Sequence, residues 1–222
     1  MTRVLVVAPH ADDESLGCGG TLLKHKERGD SVVWLLLTCA LARHGYSESD
    51  EQREAEQIRQ VSAGFGFAQS VSLQLPPAQL DQIPKRELAS AIGRVVRETG
   101  AECLYLPHPG DVHTDHAATF DAACSATKWF RHASVRRVAT YETVSETEFG
   151  LSPLHGGFRP NLFVDISAHL ERKLQLLRLY QTEMGEFPFP RSETNVAALA
   201  RLRGATAGFQ AAEAFTILKD VW

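Results

Sequence analysis

The sequence is poor in the features that mark several classes of protein. It has four cysteines among 222 residues, Cys18, Cys39, Cys103 and Cys124, widely spaced and without a CxxC pair. That pattern argues against a disulfide framework or a zinc knuckle and predicts reduced, mostly buried thiols. No apolar run approaches the length needed to span a bilayer. The apolar stretch near the N-terminus is cut off by Pro9, His10 and the acids that follow. It is too short for the core of a signal peptide, so a cytoplasmic protein is expected. Positive charge is not in excess: the formal net charge is −4, which gives no electrostatic reason to expect nucleic acid or an anionic membrane as partner. Internal repeats, low-complexity tracts and clear linkers are missing too, so residues 1–222 are read as one domain.

What is present is an alternation of strand and helix signals over the first two thirds. "RVLVVAP" (3–9) and "SVVWLLLTC" (31–39) are continuous apolar runs, the pattern of strands buried on both faces. "SVSLQL" (70–75) is a weaker third strand and "AECLYLP" (101–107) a fourth. Between them, helices are predicted from Asp13 to Arg28, over 50–64 and over 84–100. Gly29 and Gly100 act as stops and Pro84 stands near a start. A further helix is predicted over 117–130, after "HPGDVHTDH". The last third reads as two strands (136–144 and 160–167) and two helices (168–185 and 192–208). The expected fold class is α/β: a Rossmann-like, mostly parallel sheet with helices on both faces.

The chemistry is concentrated where the first strand ends, in "APHADDESLGCGG" (8–20). A strand followed by a glycine-rich turn invites a dinucleotide-binding reading. The spacing of Gly17, Gly19 and Gly20 does not match GxGxxG, however, and Asp12, Asp13 and Glu14 stand where a pyrophosphate needs bare backbone N–H groups. Carboxylates gathered beside a histidine suit a cation, and His10 and Asp13 can supply one nitrogen and one oxygen ligand. The segment after the fourth strand offers His108, His113 and His116 as a third, with Asp111 and Asp115 between them. In the common doubly wound order, strands 1 and 4 are neighbours at the switch point, so both motifs meet beyond the strand C-termini. The metal site is expected there.

"PHADDESLGCGGTL" together with "HTDH" resembles the PIG-L/LmbE family of zinc-dependent N-deacetylases. Weaker echoes are Arg53 and Glu54 in "QREAEQIRQ", the helix "KLQLLRLYQTE" and "AEAF" near the end, so the resemblance spans nearly the whole chain. Ala11 stands where the family usually has proline, and "YQTE" where relatives often have tyrosine-x-serine-glutamine. The resemblance implies that His10, Asp13 and His116 bind Zn2+, that Asp12 is the general base, and that His113 stabilises the oxyanion or acts as acid. Asp115 is implied to orient or charge a histidine, and the sugar-binding role falls to Arg53, which otherwise pairs with Asp50 or Glu56 on its own helix. Position alone leaves His113 and His116 interchangeable as metal ligand. His108 is read as structural and Cys18 as packing among glycines, while Asp111 is either the partner of a metal ligand or a turn residue, the turn being favoured. Glu14 is expected to be structural, bonded to a backbone amide or an arginine. His25, His44, His132, His155 and His169 are read as surface or satisfied histidines.

The activity implied is removal of an acetyl or similar small acyl group from an N-acetylglucosamine-type amino sugar conjugate. The rivals are a zinc amidase acting on a thiol conjugate and a non-catalytic Rossmann-like binding module. The expected partner is a small amino-sugar conjugate. Homo-oligomers are left open.

Overall fold

The computed structural model describes residues 1–151 and 157–222. The strands are β1 (Arg3–Ala8), β2 (Ser31–Thr38), β3 (Gln69–Leu75), β4 (Cys103–Pro107), β5 (Arg137–Tyr141), β6 (Leu162–Asp165) and β7 (Ala212–Asp220). They form one sheet in the order β3-β2-β1-β4-β5-β7-β6. The first five in that order are parallel, and β7 runs antiparallel to both β5 and β6. The α-helices are α1 (Asp13–Glu27), α2 (Glu48–Phe65), α3 (Lys85–Thr99), α4 (Thr114–Ala123), α5 (Leu170–Leu177) and α6 (Glu193–Ala207).

The apolar run of β1 follows from having helices on both sides. Val4, Val6 and Ala8 enter a core with Leu22, Phe65, Leu174 and Val196, from α1, α2, α5 and α6. Leu5 and Val7 point the other way, into a core with Leu88, Ile92 and Ala122 from α3 and α4. Successive side chains of a strand alternate faces, so a strand covered on both sides must be apolar throughout.

The glycines of α1 serve close packing. A Cβ on Gly17 would collide with the Tyr141 ring, and one on Gly20 would lie 2.7 Å from Cβ of Ile166. Gly17→Ala is therefore expected to lower stability by about 1–3 kcal/mol, the usual penalty of overpacking. An unchanged urea midpoint would show that the ring moves aside freely.

A buried ion pair locks α1 to the end of the chain. Lys173 Nζ donates to Glu213 Oε1 (2.7 Å) and to the Leu16 carbonyl (2.7 Å). The Glu213 carboxylate also accepts from the N–H groups of Gly20 (2.8 Å) and Thr21 (2.7 Å). The weak sequence echoes around 173 and 213 thus meet in the core.

Three sequence expectations need correction. Helix α4 begins at Thr114 rather than 117, because His113 caps it: its Nδ1 accepts from the Asp115 N–H at 3.1 Å. It gives way to a 3-10 turn at Cys124–Thr127. The amphipathic stretch 168–185 is helical only over Leu170–Leu177, after which the chain turns to carry Tyr180 to Glu14, whose Oε1 accepts from its hydroxyl at 2.8 Å. The strand β7 has no counterpart in the sequence reading. Glutamate and alanine disfavour strands locally, and here pairing on both edges overrides that preference. All four cysteines are free thiols, three buried and Cys124 half-buried.

Candidate active site

The turn after β1 carries a strained residue. Asp12 has φ 147° and ψ −26°, in a region that side chains other than glycine rarely adopt. It stands at the N-cap of α1, yet its side chain makes no capping hydrogen bond. The turn is closed by Asp13, whose Oδ2 accepts from the His10 N–H at 2.8 Å. Because β1 and β4 are paired neighbours, this turn faces the segment that leaves β4 and enters α4.

His10, Asp13 and His116 converge, each offering one ligand atom, with those atoms within 4.8 Å of one another. His116 Nε2 lies 3.3 Å from Asp13 Oδ1, and His10 Nδ1 lies 3.5 Å from Asp13 Oδ2. The far nitrogens are tied by other carboxylates: His116 Nδ1 to Asp111 Oδ2 at 2.8 Å, and His10 Nε2 to Asp115 Oδ2 at 3.0 Å. Asp115 is held in turn by the N–H groups of Ala78 (2.7 Å) and Leu80 (2.9 Å), and Asp111 by the Thr147 hydroxyl (2.7 Å). Carboxylates on the outer nitrogens of two imidazoles fix their tautomers and direct the inner nitrogens at a cation.

The fit to a divalent metal can be judged on one atom. His116 Nε2 is buried and makes no aligned hydrogen bond among the described residues, with Asp13 Oδ1 3.3 Å away; a cation held between the two would satisfy both. Two imidazoles and a carboxylate are a donor set that zinc accepts. A second group, His10, His113 and Asp115, also comes together. There the donors are already engaged with one another and with backbone N–H groups, so the first group is the better cation site.

The electrostatics point the same way. Burial alone would lower the His116 pKa, but the charge of Asp13 and the hydrogen bond to Asp111 hold it well above the ordinary histidine range. Burial opposes a charge on His10 too, and hydrogen bonds to Asp115 and Asp13 raise it to about 9. Burial works against ionised Asp13 as well, and His116 and His10 outweigh it to hold its carboxyl far below the carboxylate range. A pocket that binds protons this strongly has a negative field, and a metal cation satisfies the same field.

The remaining expected residues fall as follows. Asp12 is buried; its Oδ2 accepts from Arg191 Nη1 at 3.1 Å. Burial and the neighbouring Asp13 charge raise its pKa well above normal, with Arg191 opposing. The His113 ring lies 4.4 Å from that of His10 and 5.7 Å from that of His116. Its pKa is lowered by burial and by the charge of His10. Because Nδ1 accepts a backbone N–H, the neutral ring carries its proton on Nε2. Glu14 bonds to Ser15, to Tyr180 and to the Asp12 N–H, and burial pushes its pKa up to about 7. Among the described residues no arginine bonds to it; the nearby one engages Asp12 instead. Arg53 pairs with Asp50, as Nη2 to Oδ1 at 2.5 Å, on the wall of a cavity of about 270 Å³ that Ala11, Tyr46, Glu54 and Glu183 also line.

Asp111 corrects the sequence reading: it is the buried partner of His116, not simply a turn residue. Asp115 contacts His10 through its side chain and His113 only through its backbone. Arg191 and Tyr180 had no signal in the sequence beyond the altered "YQTE" segment. Cys18 is buried and belongs to neither candidate metal group, and His108 packs edge-on against Phe158. His25 bonds to Asp30 and Tyr105, His44 to the Gln74 carbonyl and His169 to Glu27, while His132 is buried. His155 lies outside the described residues.

The fold is α/β, a mostly parallel sheet with a His/Asp cluster of metal-binding spacing at the C-terminal ends of two central strands. The chain belongs to the PIG-L family, described as GlcNAc-PI de-N-acetylase, whose model matches residues 5–127. It is 26% identical over 241 aligned residues to a diacetylchitobiose deacetylase of Thermococcus kodakarensis, covering 99% of this chain and 84% of that one. It is 30% identical over 159 residues to a 1D-myo-inositol 2-acetamido-2-deoxy-alpha-D-glucopyranoside deacetylase of Kineococcus radiotolerans, over 56% of this chain and 44% of the relative. Among solved structures, the conserved protein TT1542 of Thermus thermophilus matches with a TM-score of 0.80 at 26% identity, covering 100% of this chain and 97% of that one. No helix among the described residues is long and apolar enough to cross a membrane.

Proposed function

We propose that this chain is a zinc-dependent hydrolase that removes an N-acetyl, or similarly small acyl, group from an N-acetylglucosamine-type amino sugar or glycoconjugate. The observation that carries the reading is the convergence of the buried His116 Nε2 with Asp13 and His10, Asp13 being next in the chain to the buried carboxylate of Asp12. The substrate class is supported by the relatives, which are deacetylases of acetylated amino sugars by name.

His10, Asp13 and His116 would hold the ion. A bound zinc supplies Lewis acidity, enough to make water a nucleophile near neutral pH. Asp12 takes a proton from the attacking water; burial gives its carboxylate a raised affinity for that proton. His113 offers its Nε2–H to the acyl oxygen as negative charge grows there. The new C–O bond forms, the C–N bond breaks, and the departing amine takes back the proton that Asp12 accepted, leaving a free amino sugar and acetic acid, which gives its remaining proton to the amine or to solvent to become acetate. Asp111 and Asp115 hold the two ligand rings in the required tautomers. Arg53, on the wall of a neighbouring cavity, would bind a sugar hydroxyl.

The test is acetate release over a panel of N-acetylated sugars and conjugates, with zinc per chain measured on the same preparation. The expected result is release that tracks zinc content and is abolished by a chelator. Protein that neither holds stoichiometric zinc nor gains acetate release when zinc is added would overturn the reading. Acyl release only from a thiol conjugate would keep the site and replace the substrate.

A further inference from the structure

We propose that Arg191 is a positioning residue for the reaction, holding Asp12 at the angle from which it takes the proton of water. This rests on the role given to Asp12 above. The starting point is the conformation of Asp12. An aspartate at a helix N-cap ordinarily turns its carboxylate onto the N–H groups of the first turn. Asp12 forgoes that contact and adopts a strained backbone of the kind that persists where the surroundings over-determine it. Its side chain turns to Arg191 instead, the one hydrogen-bond donor to the Asp12 carboxylate among the described residues.

Arg191 is itself held on several sides. Nη2 lies 3.3 Å from Glu183 Oε2, and the guanidinium sits 5.8 Å from the ring centre of Phe189. Its Nε is buried without a hydrogen-bond partner among the described residues. The guanidinium occupies only Oδ2 of Asp12. No hydrogen bond among the described residues engages Oδ1, so one oxygen is anchored and the other is left for water. The anchor comes from far along the chain, since Arg191 lies between α5 and α6. The same connection is fixed to the first turn of α1 a second time by Tyr180 on Glu14.

The competing account is that Arg191 only pins this connection to α1. The two differ in which quantity moves. For a positioning residue, Arg191→Met keeps its zinc and its KM for N-acetylglucosamine or its β-1,4-linked dimer within about twofold, while kcat falls about 10²-fold, the usual consequence of misplacing a reacting group. Added guanidinium restores part of that kcat. Glu183→Gln, which frees one side of the arginine, shows a smaller loss. In the double variant Asp12→Asn/Arg191→Met, kcat is no lower than in Asp12→Asn alone, because the arginine acts through the carboxylate. For a mere pin, Arg191→Met lowers the melting temperature but leaves kcat per zinc-loaded chain unchanged, and this overturns the inference. Multiplicative losses in the double variant overturn it too. Wild-type protein that holds zinc yet releases no acetate from either sugar overturns the assignment of Asp12 on which the inference stands, a result distinct from an active wild type with an unaffected variant.

Discussion

A protein carrying Asp13→Ala is expected to lose its zinc and, with it, acetate release down to the background rate. Asp13 is the one ligand candidate that touches both others, through Oδ1 to His116 and Oδ2 to His10. Without it two imidazoles remain, one short of the three protein ligands that a catalytic zinc uses. The two rings also lose the carboxylate that favours positive charge between them. Far-UV circular dichroism should change little, since the strands and helices around the cluster are held by the two cores. Zinc per chain after dialysis is the deciding number, and full occupancy would strike Asp13 from the ligand set. Asp111→Asn is the graded counterpart. It leaves all three ligands but loosens the hold on His116 Nδ1, so zinc affinity should fall about 10–100-fold in chelator competition.

The second large effect is on rate with the metal in place. Asp12→Asn should retain zinc and lose about 10²–10⁴-fold in kcat, the usual worth of a positioned general base. Asparagine is the informative substitution because it has nearly the shape of aspartate without a carboxylate to accept the proton. The strained turn is thereby preserved, and only the ability to bind a proton is removed. Near-normal kcat would end the role of Asp12 and move attention to Glu14, the neighbouring buried carboxyl whose pKa burial lifts to about 7.

The parts of this molecule that could be read from sequence are those set by local repetition. The apolar runs at 3–9 and 31–39 gave buried parallel strands because burial on two faces leaves no polar position, and HxDH with the acidic turn showed the donor types directly. What escaped is set by contacts between distant residues. Asp111 reads as a turn acid until His116 Nδ1 is seen 2.8 Å away. Arg191 sits in a proline-bounded connection with no periodicity, and nothing near it in sequence announces Asp12. The early start of α4 depends on a histidine acting as cap, an unusual choice beside serine or aspartate. The strand β7 was hidden by its own composition.

The position of β7 fixes an order of events during synthesis. Of the seven strands described it comes last in sequence, yet it lies between β5 and β6 and brings Glu213 to α1. A nascent chain released from the ribosome only as far as residue 211 has the parallel half of the sheet and both metal-ligand motifs in hand. It also has β6 with no strand beside it, and the Lys173 ammonium without its carboxylate. An ammonium in a closed core without a counter-charge is strongly unfavourable, so the packing of α5 against α1 is favoured only once β7 supplies Glu213. The half of the sheet that presents the His/Asp cluster can form early, while the seal around α1 waits for β7. In that interval the open edge of β5 is where a stalled or truncated product would stick to its neighbours.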